Sequence, residues 1–436
     1  MRNWRIVQLA DVADIRVSGV DKLSFASEKP VRLCNYMDVY ANDYVRADLP
    51  FMEATATAAE IARFKVVQGD VMITKDSETP EDIGISSVVS DEIEGLVCAY
   101  HLALLKPNRS LVDSIYLSKQ LATPATARYF ARNAAGSTRY GLSNRAIERT
   151  PVPLAPLNQQ KKIAAILTSI DTAIEKTEAL IAKYQQIKAG LMHDLFTRGV
   201  LPNGQLRPPR EQAPELYQGT AIGWIPRDWQ VSALAAIADL LVGFAFKSES
   251  FVSEGIPLLR GENVGYGCAD WSDRQCLALP VGNEFSTYIL KAGDLVVGMD
   301  RSFTKSGVKI TALTVNDCPA LLVQRVGKFR AIGCEFLYLR WLVESPAYLR
   351  ILFNQQKGMD IPHLSKAEIL TPIIPIPPTE EQVRIAMFIE SAAELIASTR
   401  TELEKLTRQK LGLMQDLLTG KVPVKVHEPT PELLHA

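Results

Sequence analysis

Apolar side chains recur at alternating steps of four and three along two long stretches of the chain. In the first, the stripe runs Ile163, Leu167, Ile170, Ile174, Thr177, Ile181, Tyr184, Lys188, Leu191 and Leu195. In the second it runs Ile385, Ile389, Ala392, Ile396, Thr399, Leu403, Leu406, Lys410, Leu413 and Leu417. A mean step of 3.5 residues held over about four heptads is the spacing of a coiled-coil seam. The stripes predict one long helix over 156–197 and a second over 378–420. The proline-rich segments PVPLAP and PIPP precede them, and because proline disfavours helix in the residue before it, they fix the two helix starts. A helix of about 40 residues is roughly 60 Å long.

The second stripe copies the first. Pro156–Val200 returns without a gap as Pro378–Val422, an offset of 222 positions, and GLMHDLFT (190–197) returns as GLMQDLLT (412–419). The repetition reaches beyond the helices. WRIVQLADVADI (4–15) lines up with WQVSALAAIADL (229–240), VRLCNYMDV (31–39) with IPLLRGENV (256–264), and QGDVMITKD (68–76) with AGDLVVGMD (292–300). The chain order is therefore globular unit (1–155), helix, globular unit (224–377), helix. Near-identical seams satisfy each other most simply if the second helix runs back along the first. That predicts an antiparallel coiled coil with pseudo-twofold symmetry and a globular unit at either end. The other arrangement packs each helix on its own unit.

Inside each unit, short β-branched runs such as KVVQGDVMI, ISSVVS and LKAGDLVV alternate with turn residues and short helical pieces such as SIYLSKQLATPATARYFAR. The pattern predicts a compact α+β domain with several short strands. Residues 198–223, RGVLPNGQLRPPREQAPELYQGTAIG, are rich in Pro, Gly and polar residues and read as a linker outside the core. The tail 421–436 has the same character and is expected to be poorly ordered.

Composition excludes more than it selects. With 436 residues, 47% hydrophobic and 22% charged, the chain is ordinary for a soluble protein of two to four domains. Apolar runs such as LALL and IIPIPP are far too short for a membrane span, and MRNWRIVQLADV lacks the apolar core of a signal peptide, which predicts a cytoplasmic protein. Cys34, Cys98, Cys268, Cys276, Cys318 and Cys334 form no C-x-x-C and read as reduced core thiols, not metal ligands. The net charge of −1 means that attraction to nucleic acid must come from local patches or companion subunits.

No catalytic signature is present. GYGCAD lacks the third glycine of a dinucleotide loop, and GMDRSFTKSG lacks the glycine spacing of a P-loop. No Asn/Asp-Pro-Pro-Tyr/Phe loop of the amino-methyltransferase kind occurs, and His101, His193, His363, His427 and His435 form no paired motif. DNA-facing candidates are better supported. Arg128, Arg132, Arg139, Arg145 and Arg149 are interleaved with Tyr129, Phe130, Tyr140 and Asn144 and opposed only by Glu148, a composition suited to phosphate contact and base-edge readout. The other reading is a solvated helix face followed by a polar loop. The matching loop of the second unit, KGMDIPHLSKAE, offers Lys357, His363 and Lys366. A further loop follows each Gly-Asp strand, with Lys75, Asp76 and Ser77 in one unit and Arg301, Ser302, Lys305 and Lys309 in the other; the IPLLRGENV segment adds Arg260 and Asn263. The helical frame repeats in register while these loops diverge.

With these residues in hand, the chain resembles the specificity subunit of a type I DNA restriction–modification system from Trp4 to Val422. The resemblance rests on the openings WRIVQLADV and WQVSALAAI, the Gly-Asp strands, the exits PVPLAPLNQQKKIAAIL and PIPPTEEQVRIAMFI, and the paired GLM-x-D-L-x-T helix ends. It implies two target recognition domains separated by an antiparallel coiled coil, each reading one half of a bipartite double-stranded DNA site across an unread spacer. It implies two methyltransferase subunits that use S-adenosylmethionine, and restriction subunits that translocate with ATP and Mg, so that the chain has no cofactor or catalysis of its own. Three readings stand beside it: an enzyme with its own methyltransferase or nuclease site, a coiled-coil scaffold with no nucleic-acid role, and the specificity subunit of a related methyltransferase/endonuclease system lacking translocation.

Overall fold

A computed structural model describes residues 4–304, 307–355 and 363–425. The chain forms two compact units, Met1–Ala179 with Thr401–Ala436, and Leu180–Arg400. Both stripes are single helices, Leu157–Thr197 and Thr379–Leu418, and each contributes to both units. Every seam position in both helices is buried or half-buried. In unit 1, Ile163 and Leu167 from the start of the first helix share a core with Leu417 and Leu418 from the end of the second. In unit 2, Met192, Leu195 and Phe196 from the end of the first helix join Ile385, Ala386 and Ile389 from the start of the second. Start beside end, in each unit, is antiparallel pairing. The same cores take in Tyr116 and Ile147 of unit 1 and Tyr338 and Ile369 of unit 2. The helices therefore pack on each other and on the globular parts at once.

The central sheet of unit 1 has the order Ala13–Val17, Leu102–Pro107, Val71–Thr74, Ser86–Val89, Tyr44–Val45. Its neighbours are antiparallel except the last pair. Side chains alternate between the two faces of a strand. Val71, Ile73, Ala103 and Leu105 face the core shared with the helices. Met72, Leu102 and Leu104 face a second core with the sheet Met52–Ala56, Lys29–Cys34, Leu96–Cys98. Burial on both faces explains why LALL shows no polar alternation. Unit 2 repeats the plan with Ala238–Val242, Val326–Ala331, Leu295–Gly298 and Ile310–Ala312, where Leu295 and Val297 face one core and Val296 another.

The recurring glutamines have a local cause. Gln160 is fully buried; its Nε2 donates to the carbonyls of Ala155 (2.7 Å) and Leu111 (3.0 Å), and its Oε1 accepts from the Asp113 amide (2.8 Å). Gln382 donates to the Pro377 carbonyl (2.9 Å) and accepts from the Glu335 amide (3.2 Å). Each side chain joins a carbonyl where a proline-rich strand becomes a helix to the amide that precedes a second helix, Asp113 before Ser114–Leu121 and Glu335 before Phe336–Val343. The Gly-Asp turns also repeat: Gly69 (φ +84) and Gly293 (φ +89) adopt the left-handed conformation that glycine accepts without steric penalty. Lysines pair with both aspartates, Lys106 with Asp70 at 2.8 Å and Lys328 with Asp294 at 2.7 Å.

Two expectations need correction. Residues 198–223 are not a free linker: Val200, Ala213 and Tyr217 are buried, and so is Arg207. The Arg207 guanidinium pairs with Glu381 and Asp228, both at 3.2 Å. Glu381 also accepts from the Val200 amide (2.8 Å) and Trp229 Nε1 (2.9 Å). The prolines and glycines of this segment shape tight turns across a core, which composition alone does not distinguish from slack. Among the cysteines, Cys34, Cys98 and Cys276 are buried but Cys268 is exposed. The expectation for the tail largely concerns residues 426–436, which lie outside the described residues.

Candidate nucleic-acid interface

The arginine-rich stretch of unit 1 folds into three short elements. Thr123 caps the helix Pro124–Asn133 by accepting the Thr126 amide, and Ser143 caps Asn144–Glu148 by accepting the Ala146 amide. The strands Ala134–Ala135 and Tyr140–Leu142 pair between them. Arg128 and Arg132 lie on the first helix, Arg139 before the second strand, and Asn144, Arg145 and Arg149 on or beside the second helix; all are exposed. Among the described residues, no hydrogen bond or ion pair engages the guanidinium groups of Arg128, Arg132, Arg139 or Arg145. The aromatics have another task. Phe130 is fully buried, and Tyr129 donates to the Ala146 carbonyl (3.0 Å), tying one helix to the other. They anchor the patch and are not stacking platforms; Tyr140 is half-buried.

Strand pairing brings the second candidate loop to the same place. Asp76–Ser77 pairs with Tyr140–Leu142, setting Asp76 opposite Gly141. Asp76 Oδ2 lies 2.6 Å from His101 Nδ1 and 3.5 Å from Lys75 Nζ. In unit 2 the equivalent bridge sets Asp300 opposite His363. His363 Nδ1 is 3.2 Å from Asp300 Oδ1, and Arg325 Nη1 donates to Asp300 Oδ2. That hydrogen bond holds the Asp300 carboxyl below the usual carboxylate range. A cleft of about 570 Å³ opens here, lined by Arg260, Arg301, Lys309, Arg325, Glu262 and Asp300 among others.

The sequence candidates of unit 2 separate on these coordinates. Arg301 is exposed, and Lys309 faces the cleft with its Nζ 3.2 Å from the Gly261 carbonyl. Arg260 is largely committed to Glu262 (2.7 Å) and Asp273 (3.0 Å). Asn263 is a turn-former, not a reader: it is buried, its Oδ1 accepts the Arg260 amide (3.2 Å) and its Nδ2 donates to the Asp270 carbonyl (2.9 Å). Lys366 pairs with Asp239 at 2.7 Å, which lowers the Asp239 carboxyl. Lys305 and Lys357 lie outside the described residues. His101 and Arg325 were not among the predicted residues. Their equivalence comes from the backbone hydrogen bonds and the aspartate they share, at the offset of 224 that already relates Asp76 to Asp300.

Two units of one plan, each presenting exposed cations beside the same strand end on loops of different composition, fit a nucleic-acid reader. Comparison with known proteins agrees. The model of the type I restriction modification DNA specificity domain matches residues 1–186 and 226–408, and the chain belongs to that family. It is a specificity subunit, the non-catalytic part of a type I restriction–modification complex, with two recognition domains. The MjaVIII specificity subunit of Methanocaldococcus jannaschii is 28% identical over 427 residues, covering 97% of this chain and 94% of that one. The EcoAI specificity subunit of Escherichia coli is 28% identical over 244 residues, covering 55% of this chain and 38% of that one. The crystal structure of a type I S subunit from M. genitalium matches in fold with a TM-score of 0.58 at 15% identity, covering 95% and 96% of the two chains. Among the described residues no helix is long and apolar enough to cross a membrane.

Proposed function

We propose that each unit reads one half of a bipartite, asymmetric double-stranded DNA site, and that the paired helices set the unread spacer and dock two methyltransferase subunits. Restriction subunits complete the complex, with S-adenosylmethionine, ATP and Mg bound by those partners and not by this chain. The observation that carries the reading is divergence on a shared skeleton. The helix seams, buried glutamines and Gly-Asp turns repeat, whereas unit 1 presents an arginine patch and unit 2 a cleft lined by Arg301, Lys309 and Arg325. Two identical faces would select a symmetric site; two unlike faces select an asymmetric one.

The spacer assignment has a direct test. Adding or deleting one helical turn within residues 165–185, with a matching change in the second helix, displaces the chain by about 5.4 Å, more than one base-pair step of about 3.4 Å. Mapping of N6-methyladenine by the reconstituted complex is expected to show a changed spacer with both half-sites intact. An unchanged spacer would rule out the helices as the ruler.

A further inference from the structure

Among the described residues only three non-glycine residues have a positive φ: His101 (φ 70), Arg301 (φ 46) and Arg325 (φ 65). All three sit at the strand end where the candidate loops meet. Left-handed backbone at a non-glycine residue is a strained state that persists only where surrounding structure imposes it. Here the same frame imposes it twice. The Lys75 amide donates to the His101 carbonyl, as the Met299 amide does to the Arg325 carbonyl, both at 2.8 Å. The Leu142 amide donates to the Lys75 carbonyl (2.9 Å), as the Leu364 amide does to the Met299 carbonyl (2.8 Å). His101 and Arg325 thus occupy one position in two copies of one cage, and each meets the aspartate that ends the Gly-Asp strand.

Stability does not account for keeping this arrangement. The Asp300–Arg325 pair lies at the surface, with side-chain exposure of 62% for Arg325, where ion pairs contribute little; the Asp76–His101 pair is part-buried, yet 31% of the His101 side chain stays open to solvent. The geometry does aim a donor set outward. Asp76 engages His101 Nδ1, which leaves Nε2 without a partner among the described residues. Asp300 engages Nη1 of Arg325 and leaves the rest of the guanidinium fork open. A guanidinium fork matches the O6 and N7 acceptors of guanine in the major groove. An imidazole whose Nδ1 proton is given to a carboxylate presents Nε2 as an acceptor, which suits the amino group of adenine or cytosine.

We propose that Asp76–His101 and Asp300–Arg325 are matched base-reading pairs, the first reading an amino-bearing base in one half-site and the second a guanine in the other. The proposal rests on the DNA-reading assignment above. Glycine variants make the test sharp, because glycine accepts φ 70 and φ 65 without strain. His101→Gly and Arg325→Gly should melt no lower than the parent chain while losing their readout. The full chain, reconstituted with its methyltransferase subunits, is presented with a randomised double-stranded DNA library, and the selected sites are sequenced. Arg325→Gly is expected to reduce preference at one guanine of one half-site by about 10- to 100-fold and leave the other half unchanged. His101→Gly should do the converse, and Asp300→Asn should relax the same position as Arg325→Gly. Uniform weakening with unchanged base preferences, or a drop in melting temperature that accompanies any loss, would assign the pairs a phosphate-binding or structural role and overturn the proposal. A parent complex with no sequence preference would instead overturn the DNA-reading assignment itself.

Discussion

Lys119 of unit 1 and Trp341 of unit 2 occupy the same place in the repeat, and so do Lys410 and Lys188. Lys410 and Lys188 each come from the last third of a long helix and reach the globular part beneath it. In unit 1, Lys119 and Lys410 share Asp43 and Asp171: Lys119 lies 2.8 and 2.7 Å from them, and Lys410 2.7 and 2.8 Å. Tyr44 closes the cluster by donating to Asp171 at 2.8 Å. In unit 2 the counterpart of Asp171 is Ala393, and Lys188 sits 4.0 Å from the centroid of the Trp341 ring. Trp341 Nε1 in turn donates to Glu390 at 3.0 Å. Duplication fixed the shape of this junction and left its chemistry free to diverge: ion pairs in one copy, a cation on an aromatic face in the other. The loops proposed to read DNA have diverged in the same manner.

Removing the central group of each junction should have the largest effect, and in one unit only. Asp171→Ala leaves two lysines short of a carboxylate in a buried setting, which costs about 3–5 kcal/mol; Trp341→Ala empties a large buried site at a cost of about 3–5 kcal/mol. Hydrogen exchange should report the first in strand Val71–Thr74 and the second in strand Leu295–Gly298. Equal loss of protection in both strands would mean that the junctions are not independent.

Acid provides a smaller, graded contrast. Burial works to raise the Asp43 carboxyl, but Lys119 and Lys410 overcome it and hold it at about 2. A depressed carboxylate contributes stability that is fully present above its unfolded value near 4 and is lost as pH falls toward its folded value. The share of unit 1 stability that rests on Asp43 should therefore be lost between about pH 4 and pH 2. Because the Asp43 side chain is half-exposed, the contribution is about 1 kcal/mol after allowance for solvent screening. Asp43→Asn should flatten the rise in exchange of strand Val71–Thr74 across this window while leaving that of Leu295–Gly298 as in the parent chain, and an unchanged rise in Val71–Thr74 would break the contrast.

The smallest effect concerns affinity alone. Arg128→Ala and Arg132→Ala should each lower the slope of log affinity against log salt by about 1 without altering the preferred sequence. A changed base preference would make these residues readers instead of phosphate contacts.

What the sequence reveals follows from the range of the interactions. The helices and the duplication are legible because a 3.5-residue seam and a gapless offset are local, periodic signals. Their antiparallel pairing follows from the near-identity of the seams. Arg207 escapes such reading because its partner Glu381 is 174 positions away and the intervening composition resembles a linker. Asn263 misleads because an amide on a turn has the same letter whether it caps a backbone or reads a base. His101 and Arg325 are invisible along the chain. Their letters do not match, and their shared left-handed backbone and shared aspartate emerge only from the folded strands.

If two unlike units read two unlike half-sites, a change confined to one unit should leave the other half-site intact. The most direct test maps N6-methyladenine sites made by the reconstituted complex carrying the parent chain and then Arg139→Ala with Arg145→Ala. The expected result is a bipartite, non-palindromic site of which the double variant relaxes one half and leaves the other at parent strength. A continuous or palindromic site, or relaxation of both halves together, would contradict it.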